Sequence, residues 1–185
     1  MTPASRVHDR ALLDALDACD PEPFAGDVWR ITRKGRDPLR GAAANGRWSL
    51  SGGFEVLYTS LDRDGAFAEI GYRLAMEPVW PSRAEHEIHR IAAATARNLR
   101  FADVASLSPL GVDPARYASL DYAATQAIAA AAHFLEFDGL LVPSARYACL
   151  NLVVFTDRAE GGALDLRESQ PVDWAAWRMT QRPTP

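Results

Sequence analysis

The chain has 185 residues, of which 48% are hydrophobic and 24% charged, a mixture typical of one soluble globular domain. Its 24 acidic residues outnumber its 20 basic residues and give a net charge of −4, which argues against direct nucleic-acid binding. The two cysteines lack zinc-ligand spacing, and no stretch has the pattern of a signal peptide or a membrane span. We therefore expect a cytoplasmic protein that has no metal site and does not bind a membrane.

The first part of the chain predicts a helix and two strands separated by a long loop. Residues 4–18 place leucines on one helical stripe, and the prolines that follow end this helix. The segments 27–32 (DVWRIT) and 54–60 (FEVLYTS) are rich in β-branched and aromatic residues, which predicts strands. The loop between them, 33–46, is rich in glycine and arginine and has a length typical of functional or disordered loops.

A second helix is predicted over residues 63–76, with Ser60 or Asp62 as its N-terminal cap. Glu69 lies on the flank of this helix, beside its apolar stripe. The stripe consists of Phe67, Ile70 and Leu74.

Residues 86–92 (HEIHRIA) predict a strand, which we expect to be a solvated edge strand. A zinc-binding helix needs two histidines four positions apart, whereas His86 and His89 are three apart. In a strand these two side chains point to opposite faces, so the segment does not predict a metal site.

The last part of the chain predicts one helix over 120–134 and two apolar strands, at 139–143 and 148–155. In the tail, Trp174 and Trp177 lie on one helical turn, so we expect the tail to dock on the body of the protein. No linker or internal repeat divides residues 1–185. The order of elements predicts a single α+β domain with a mixed β-sheet core and flanking helices.

Six residues stand out because they are costly to bury or lie where a cleft is expected. Arg30 lies inside an apolar strand, where a charge needs a partner. Asn151 interrupts another apolar strand, and Ser144 follows a strand end. Taken singly each has a structural explanation, including an ion pair between Arg30 and Glu69. The full set is Arg30, Arg47, Tyr58, Glu69, Ser144 and Asn151. Together they suit a ligand that carries a pyrophosphate and a flat heterocycle.

These residues lie in short motifs that resemble the RES-domain toxins of bacterial RES/Xre-type toxin–antitoxin pairs. The motifs are VWRIT, GRWS, VLYTS, AEI, GLLVPS and NLVVF, in the family's order, and they span about residues 26–156. The family usually has Asn after the tryptophan of GRW, whereas this chain has Ser49, to which we assign no role.

The resemblance implies an ADP-ribosyltransferase-like fold that takes NAD as its substrate and cleaves the nicotinamide–ribose bond by hydrolysis or phosphorolysis. It implies that Glu69, Arg47 and Tyr58 are the catalytic residues. Among them Glu69 would stabilise the oxocarbenium-like ribose or orient the attacking water or phosphate. Arg30 and Arg47 would hold the pyrophosphate, and Tyr58 would stack on the nicotinamide or the ribose. Ser144 and Asn151 would fix polar edges of the ligand.

The expected partner is a cognate antitoxin with a helix-turn-helix part. Two other functions stay open at this point. One is a mono-ADP-ribosyltransferase that modifies a specific bacterial protein, and the other is a non-catalytic domain that binds the antitoxin or a nucleotide.

Overall fold

The computed structural model describes residues 8–81 and 83–180. Within these ranges the chain forms four α-helices, six β-strands and two short 3₁₀ segments. The helices are α1 (Arg10–Asp17), α2 (Arg63–Ala75), α3 (Ala123–Phe134) and α4 (Trp174–Thr180). The strands are β1 (Glu22–Arg33), β2 (Val56–Ser60), β3 (His86–Arg100), β4 (Gly139–Pro143), β5 (Leu150–Phe155) and β6 (Leu164–Pro171). The 3₁₀ segments are Ala105–Leu110 and Pro114–Arg116.

Aspartate caps set the start of the first two helices. α1 begins at Arg10, later than predicted, because the Asp9 carboxylate accepts hydrogen bonds from the first free N–H groups of the helix. Residues 4–7 of the predicted helix lie outside the described residues. At α2 the cap is Asp62, one of the two predicted candidates, and the Ser60 hydroxyl accepts from the Asp62 N–H instead.

The strands form one mixed sheet in the order β1-β2-β5-β4-β3-β6, in which only β3 and β4 run parallel. β1 also pairs with β3 along most of its length, so the pairings β1-β2-β5-β4-β3 close into a ring. Buried side chains from every strand of the ring pack together in one cluster. This arrangement confirms the predicted α+β class with a strand-rich core.

Two strands are longer than predicted, and one was not predicted. β1 begins at Glu22 and contains Pro23, where the register with β3 shifts because proline has no N–H to donate. β3 continues to Arg100. β6 is polar and mostly exposed, so its sequence has no alternation of hydrophobic residues by which to identify it.

The prediction that the histidine segment is a solvated edge strand is wrong. β3 is paired with β1 on one side and with β6 on the other, and both of its histidines are buried: His86 is 7% exposed and His89 is 2% exposed. His89 lies 2.9 Å from the Thr32 hydroxyl and 2.8 Å from the Ser169 hydroxyl, so its two ring nitrogens link three strands. No cluster of three potential metal ligands occurs within residues 8–81 and 83–180.

The helices pack against the outer face of the ring, opposite the cluster that its strands share. The largest core cluster contains residues from α1, α3, β4 and β5. On the same face, beside β1 and β3, the predicted apolar stripe of α2 packs with Trp174 and Trp177 of α4. The two tryptophans of the tail thus lie against residues of α2. Across the two described ranges, no helix combines the length and the apolar character needed to span a bilayer.

Candidate active site

Glu69 projects from α2 where the helix packs closely on the sheet. The Asp62 side chain accepts from the N–H groups of Asp64, at 2.7 Å, and Gly65, at 3.4 Å, and so fixes the helix start beside β2. A Cβ atom on Gly65 would lie 2.4 Å from the Ser60 hydroxyl at the end of β2, so a larger residue would force the two apart. The close approach brings the second turn of α2 within reach of β4 and β5.

Two polar side chains hold the Glu69 carboxylate through one of its oxygens. The Ser144 hydroxyl donates to Oε1 at 2.6 Å, and the Asn151 amide donates to the same oxygen at 3.2 Å. Ser144 Oγ also accepts from the N–H groups of Arg146 and Tyr147, so its single hydrogen is committed to Glu69. Within the described part of the chain, no hydrogen bond reaches Oε2 of this half-buried carboxylate.

Asn151 has a buried oxygen, Oδ1, that meets no donor among residues 8–81 and 83–180. An unpaired buried acceptor costs roughly 1–3 kcal/mol. Exchanging the two ends of the amide would place this oxygen against the Glu69 carboxylate, so the pairing with Glu69 fixes the orientation of the Asn151 side chain.

The segment that precedes α3 contacts the guanidinium group of Arg47. Nη1 donates to the Tyr117 carbonyl, and Nη2 donates to the Ser119 carbonyl at 3.2 Å. The guanidinium carbon lies 4.7 Å from the ring centre of Tyr117 and 4.9 Å from that of Tyr122, within range for cation–π attraction. Two of the five N–H donors are used in these bonds, and no hydrogen bond to residues 8–81 or 83–180 uses the other three.

The Tyr58 hydroxyl ties down the loop that carries Arg47. It accepts from the Trp48 N–H at 2.9 Å and lies 2.9 Å from Ser49 Oγ. Ser49 Oγ donates its hydrogen to the Ala44 carbonyl, so the Tyr58 hydroxyl is the donor in its bond with Ser49. Burial is the main cause of the raised pKa of Tyr58. The hydroxyl therefore has a structural task, and stacking of the Tyr58 ring on a ligand stays a prediction.

Tyr117 connects the Arg47 loop with the Glu69 cluster, which consists of Glu69, Ser144 and Asn151. Its carbonyl accepts from Arg47, and its hydroxyl donates at 2.6 Å to the carbonyl of Pro143, the neighbour of Ser144. Burial raises the pKa of Tyr117, while Arg47 lowers it and Glu69 raises it further. Both charges thus act on this one phenol, and the two parts of the site lie around it.

Arg30 does not join this group. Its Nη1 donates to the carbonyls of Pro38 at 2.7 Å and Arg40 at 3.0 Å, so it holds the loop after β1. Burial lowers its pKa to about 10, an effect that Asp37 opposes. Within the described residues no ion pair joins Arg30 to Glu69, so that alternative is wrong.

The strand period explains the position of Arg30. Its neighbours Trp29 and Ile31 pack on the α2 side of the sheet. Because successive side chains of a strand alternate between faces, the Arg30 side chain lies on the opposite face from α2. Pyrophosphate binding by Arg30 stays a prediction.

The sequence did not predict three residues that surround the Arg47 guanidinium or lie near the Glu69 carboxylate. These residues precede α3 or follow β4. Tyr117, Tyr122 and Arg146 all lie in short polar segments, and Arg146 donates to the Ala118 carbonyl at 2.8 Å. Tyr117, just before the helix predicted over 120–134, and Tyr122, in its first turn, were the available signal, because binding residues are often found in loops at the ends of regular elements.

The chain is similar to several known proteins. The family model described as "RES domain" matches residues 27–177. A relative named "Probable NAD(+) phosphorylase Rv3189", from Mycobacterium tuberculosis, is 38% identical over 151 residues, which cover 78% of this chain and 71% of that protein. A second relative, "NAD(+) phosphorylase MbcT" of Mycobacterium bovis, is 25% identical over 167 residues, or 87% of this chain and 90% of that protein.

A solved structure has the same fold. The crystal structure of the M. tuberculosis MbcT–MbcA toxin–antitoxin complex contains a chain that matches with a TM-score of 0.82 and 24% identity. The match covers 92% of this chain and 97% of that one. Since the family model spans most of the sequence and includes every motif quoted above, the chain belongs to the RES domain family.

Proposed function

We propose that this protein is a toxin that cleaves the nicotinamide–ribose bond of NAD, depletes the cytoplasmic NAD pool and so arrests growth. The observation that carries the proposal is the Glu69 carboxylate, which is fixed through Oε1 by Ser144 and Asn151 while Oε2 stays open. The names of the two relatives, both NAD(+) phosphorylases, support the same reaction.

One carboxylate is sufficient for this chemistry. Nicotinamide leaves NAD as a neutral molecule from a cationic ring, so no second carboxyl group is needed to protonate it, unlike in ordinary glycoside cleavage. The C1′–N bond breaks with its electron pair going to nicotinamide, and positive charge develops on the ribose. A fixed negative charge on Glu69 stabilises that charge as it forms.

The new C1′–O bond forms with phosphate or with water. Phosphate is already anionic at neutral pH and needs no base, whereas water must lose a proton as it attacks, to Glu69 or to solvent. The names of the relatives favour phosphate as the acceptor in this chain also.

The arginine and the aromatic residues supply binding. The unused donors of Arg47 suit a pyrophosphate, for which a guanidinium gives bidentate, charge-assisted bonds. Tyr58 contributes its ring face, and Ser144 and Asn151 place the carboxylate. The mixed sheet with flanking helices supports an ADP-ribosyltransferase-like fold.

We also propose a cognate antitoxin with a helix-turn-helix part as the partner. The structural match to a chain of a toxin–antitoxin complex supports an antitoxin. The net charge of −4 leaves DNA recognition to that partner.

The test is NAD consumption by the purified protein, with and without phosphate. ADP-ribose-1″-phosphate that forms only with phosphate supports phosphorolysis, and free ADP-ribose supports hydrolysis. Labelled NAD that leaves its label on a protein band would support ADP-ribosyl transfer instead. An unchanged NAD concentration, together with normal growth when the gene is expressed without the antitoxin, would refute the proposed enzymatic activity.

A further inference from the structure

Gln126, on the second turn of α3, lies under the loop that carries Arg47. Its Nε2 is 2.8 Å from Asn45 Oδ1, 2.8 Å from the Gly46 carbonyl and 3.0 Å from the Ser49 carbonyl. An amide nitrogen has two hydrogens, so three acceptors share them, and only a donor is tolerated at this point.

These contacts hold the two ends of a tight turn. The Gly46 N–H donates to the Ser49 carbonyl at 3.0 Å, and the Ser49 N–H donates back to the Gly46 carbonyl at 3.4 Å. Arg47 and Trp48 are therefore the two central residues of the turn. Trp48 is only 2% exposed and anchors the turn in the core, which leaves Arg47 as the residue that the turn presents.

The turn is clamped from two sides. Tyr58, on β2, accepts the Trp48 N–H on one side, and Gln126 donates to the turn ends on the other. The clamp is close, because a Cβ atom on Gly46 would lie 2.7 Å from the Tyr58 hydroxyl oxygen.

The start of α3 also supports the guanidinium. Tyr122, whose ring lies beside the Arg47 guanidinium, directly precedes the helix, and its carbonyl accepts from the Gln126 N–H at 2.8 Å. One helical turn thus fixes both the backbone of Arg47, through Gln126, and its charged end, through Tyr122.

We propose that Gln126 is a positioning residue that sets the affinity for NAD by holding the Arg47 turn in its binding position. The inference rests on the proposed function of the site, since Arg47 is there the pyrophosphate ligand. It adds a residue outside the motifs, and it predicts an effect on KM, because Gln126 has no hydrogen bond to the Glu69 cluster.

The test is Gln126→Glu, which keeps the size of the side chain and directs a carboxylate at three oxygen acceptors. At pH 8 we expect KM for NAD to rise about tenfold, equivalent to one lost hydrogen-bonding group, with kcat within about threefold of wild type. Gln170→Glu, an equal charge change on an exposed residue of β6, is the matched control and should leave both constants unchanged.

The pH dependence separates positioning from general damage. Oxygen acceptors around the new carboxylate raise its pKa, so lowering the pH to about 5.5 protonates it and restores one O–H donor. The KM defect of Gln126→Glu, relative to wild type at the same pH, should then shrink. Gln126→Met, which has no donor at any pH, should keep its defect.

Wild-type KM in Gln126→Glu at pH 8, or a loss confined to kcat, would overturn the inference. A wild-type protein that does not turn over NAD would instead refute the proposed function. In that case amide hydrogen exchange still tests the positioning role: exchange at 46–49 should be faster in Gln126→Glu than in wild type and in Gln170→Glu. Equal exchange in all three proteins would overturn the inference.

Discussion

Glu69→Gln is the substitution that separates the charge of the carboxylate from its place in the structure. The glutamine oxygen can occupy the position of Oε1 and still accept from Ser144 and Asn151. Its NH₂ group then replaces Oε2, the oxygen without a partner among the described residues. The geometry is kept, and the negative charge is lost.

The two effects have different expected sizes. A hydrogen bond to a charged group contributes roughly 1.5–3 kcal/mol, against about 0.5–1.5 kcal/mol for a neutral pair, so two weakened bonds cost on the order of 2 kcal/mol. This loss lowers the melting temperature by a few degrees. Removal of one preorganised electrostatic stabiliser typically costs ~10²–10³ in rate. We therefore expect a folded protein whose kcat is lower by that factor and whose affinity for NAD is largely retained.

The assay follows nicotinamide release under saturating NAD, with NAD binding measured by calorimetry and folding by thermal melts. Glu77→Gln, at an exposed position just after α2, controls for the change in net charge and should behave as wild type. A Glu69→Gln protein that releases nicotinamide at the wild-type rate would refute the role of the carboxylate. A protein that is inactive only because it is unfolded would show its defect in the melt.

Three further expectations concern binding and stability. Tyr58→Phe keeps the ring but removes the bond to the Arg47 loop, so KM should rise roughly fivefold, the equivalent of ~1 kcal/mol, with little change in kcat; a large fall in kcat would contradict this. Gly71→Ala puts a Cβ atom 2.3 Å from the Trp177 ring, so urea denaturation should show a loss of about 1–3 kcal/mol, whereas Gly161→Ala has open space around it and should be neutral. Burial lowers the pKa of His89, so below pH 6.5 the unfolded state binds a proton that the folded state does not bind. The free energy of unfolding therefore decreases as the pH is lowered, by up to about 1.4 kcal/mol per pH unit. His89→Gln should flatten this dependence in urea titrations between pH 5 and 7, and an unchanged slope would show that other groups cause it.

Local patterns in the sequence predicted the elements that carry the site. The apolar stripe of α2 placed Glu69 on the helix flank, and the apolar run before Ser144 gave β4 the bounds that the structure has, Gly139–Pro143. These features were predictable because helix caps, side-chain periodicity and proline act over a few neighbouring residues.

Strand neighbours, by contrast, were not predictable from the same patterns. His86 and His89 were expected at a solvated edge, but β6, which carries no hydrophobic alternation, covers that side of β3 and buries them. Pyrophosphate binding by Arg30 stays a prediction, but the bonds of this arginine to the carbonyls of Pro38 and Arg40 were not predictable, because they depend on how the following loop folds back.

The sequence by itself determined the α+β class, the position of Glu69 on a helix flank and the family to which the motifs belong. Only the tertiary structure decided which side chains meet: Ser144 and Asn151 bind Glu69 across 75 and 82 residues of chain, and Gln126 reaches the Arg47 turn from α3. The reason is physical. Periodicity and caps reflect interactions between near neighbours, whereas these contacts depend on strand order, register and helix packing, which the whole chain settles together.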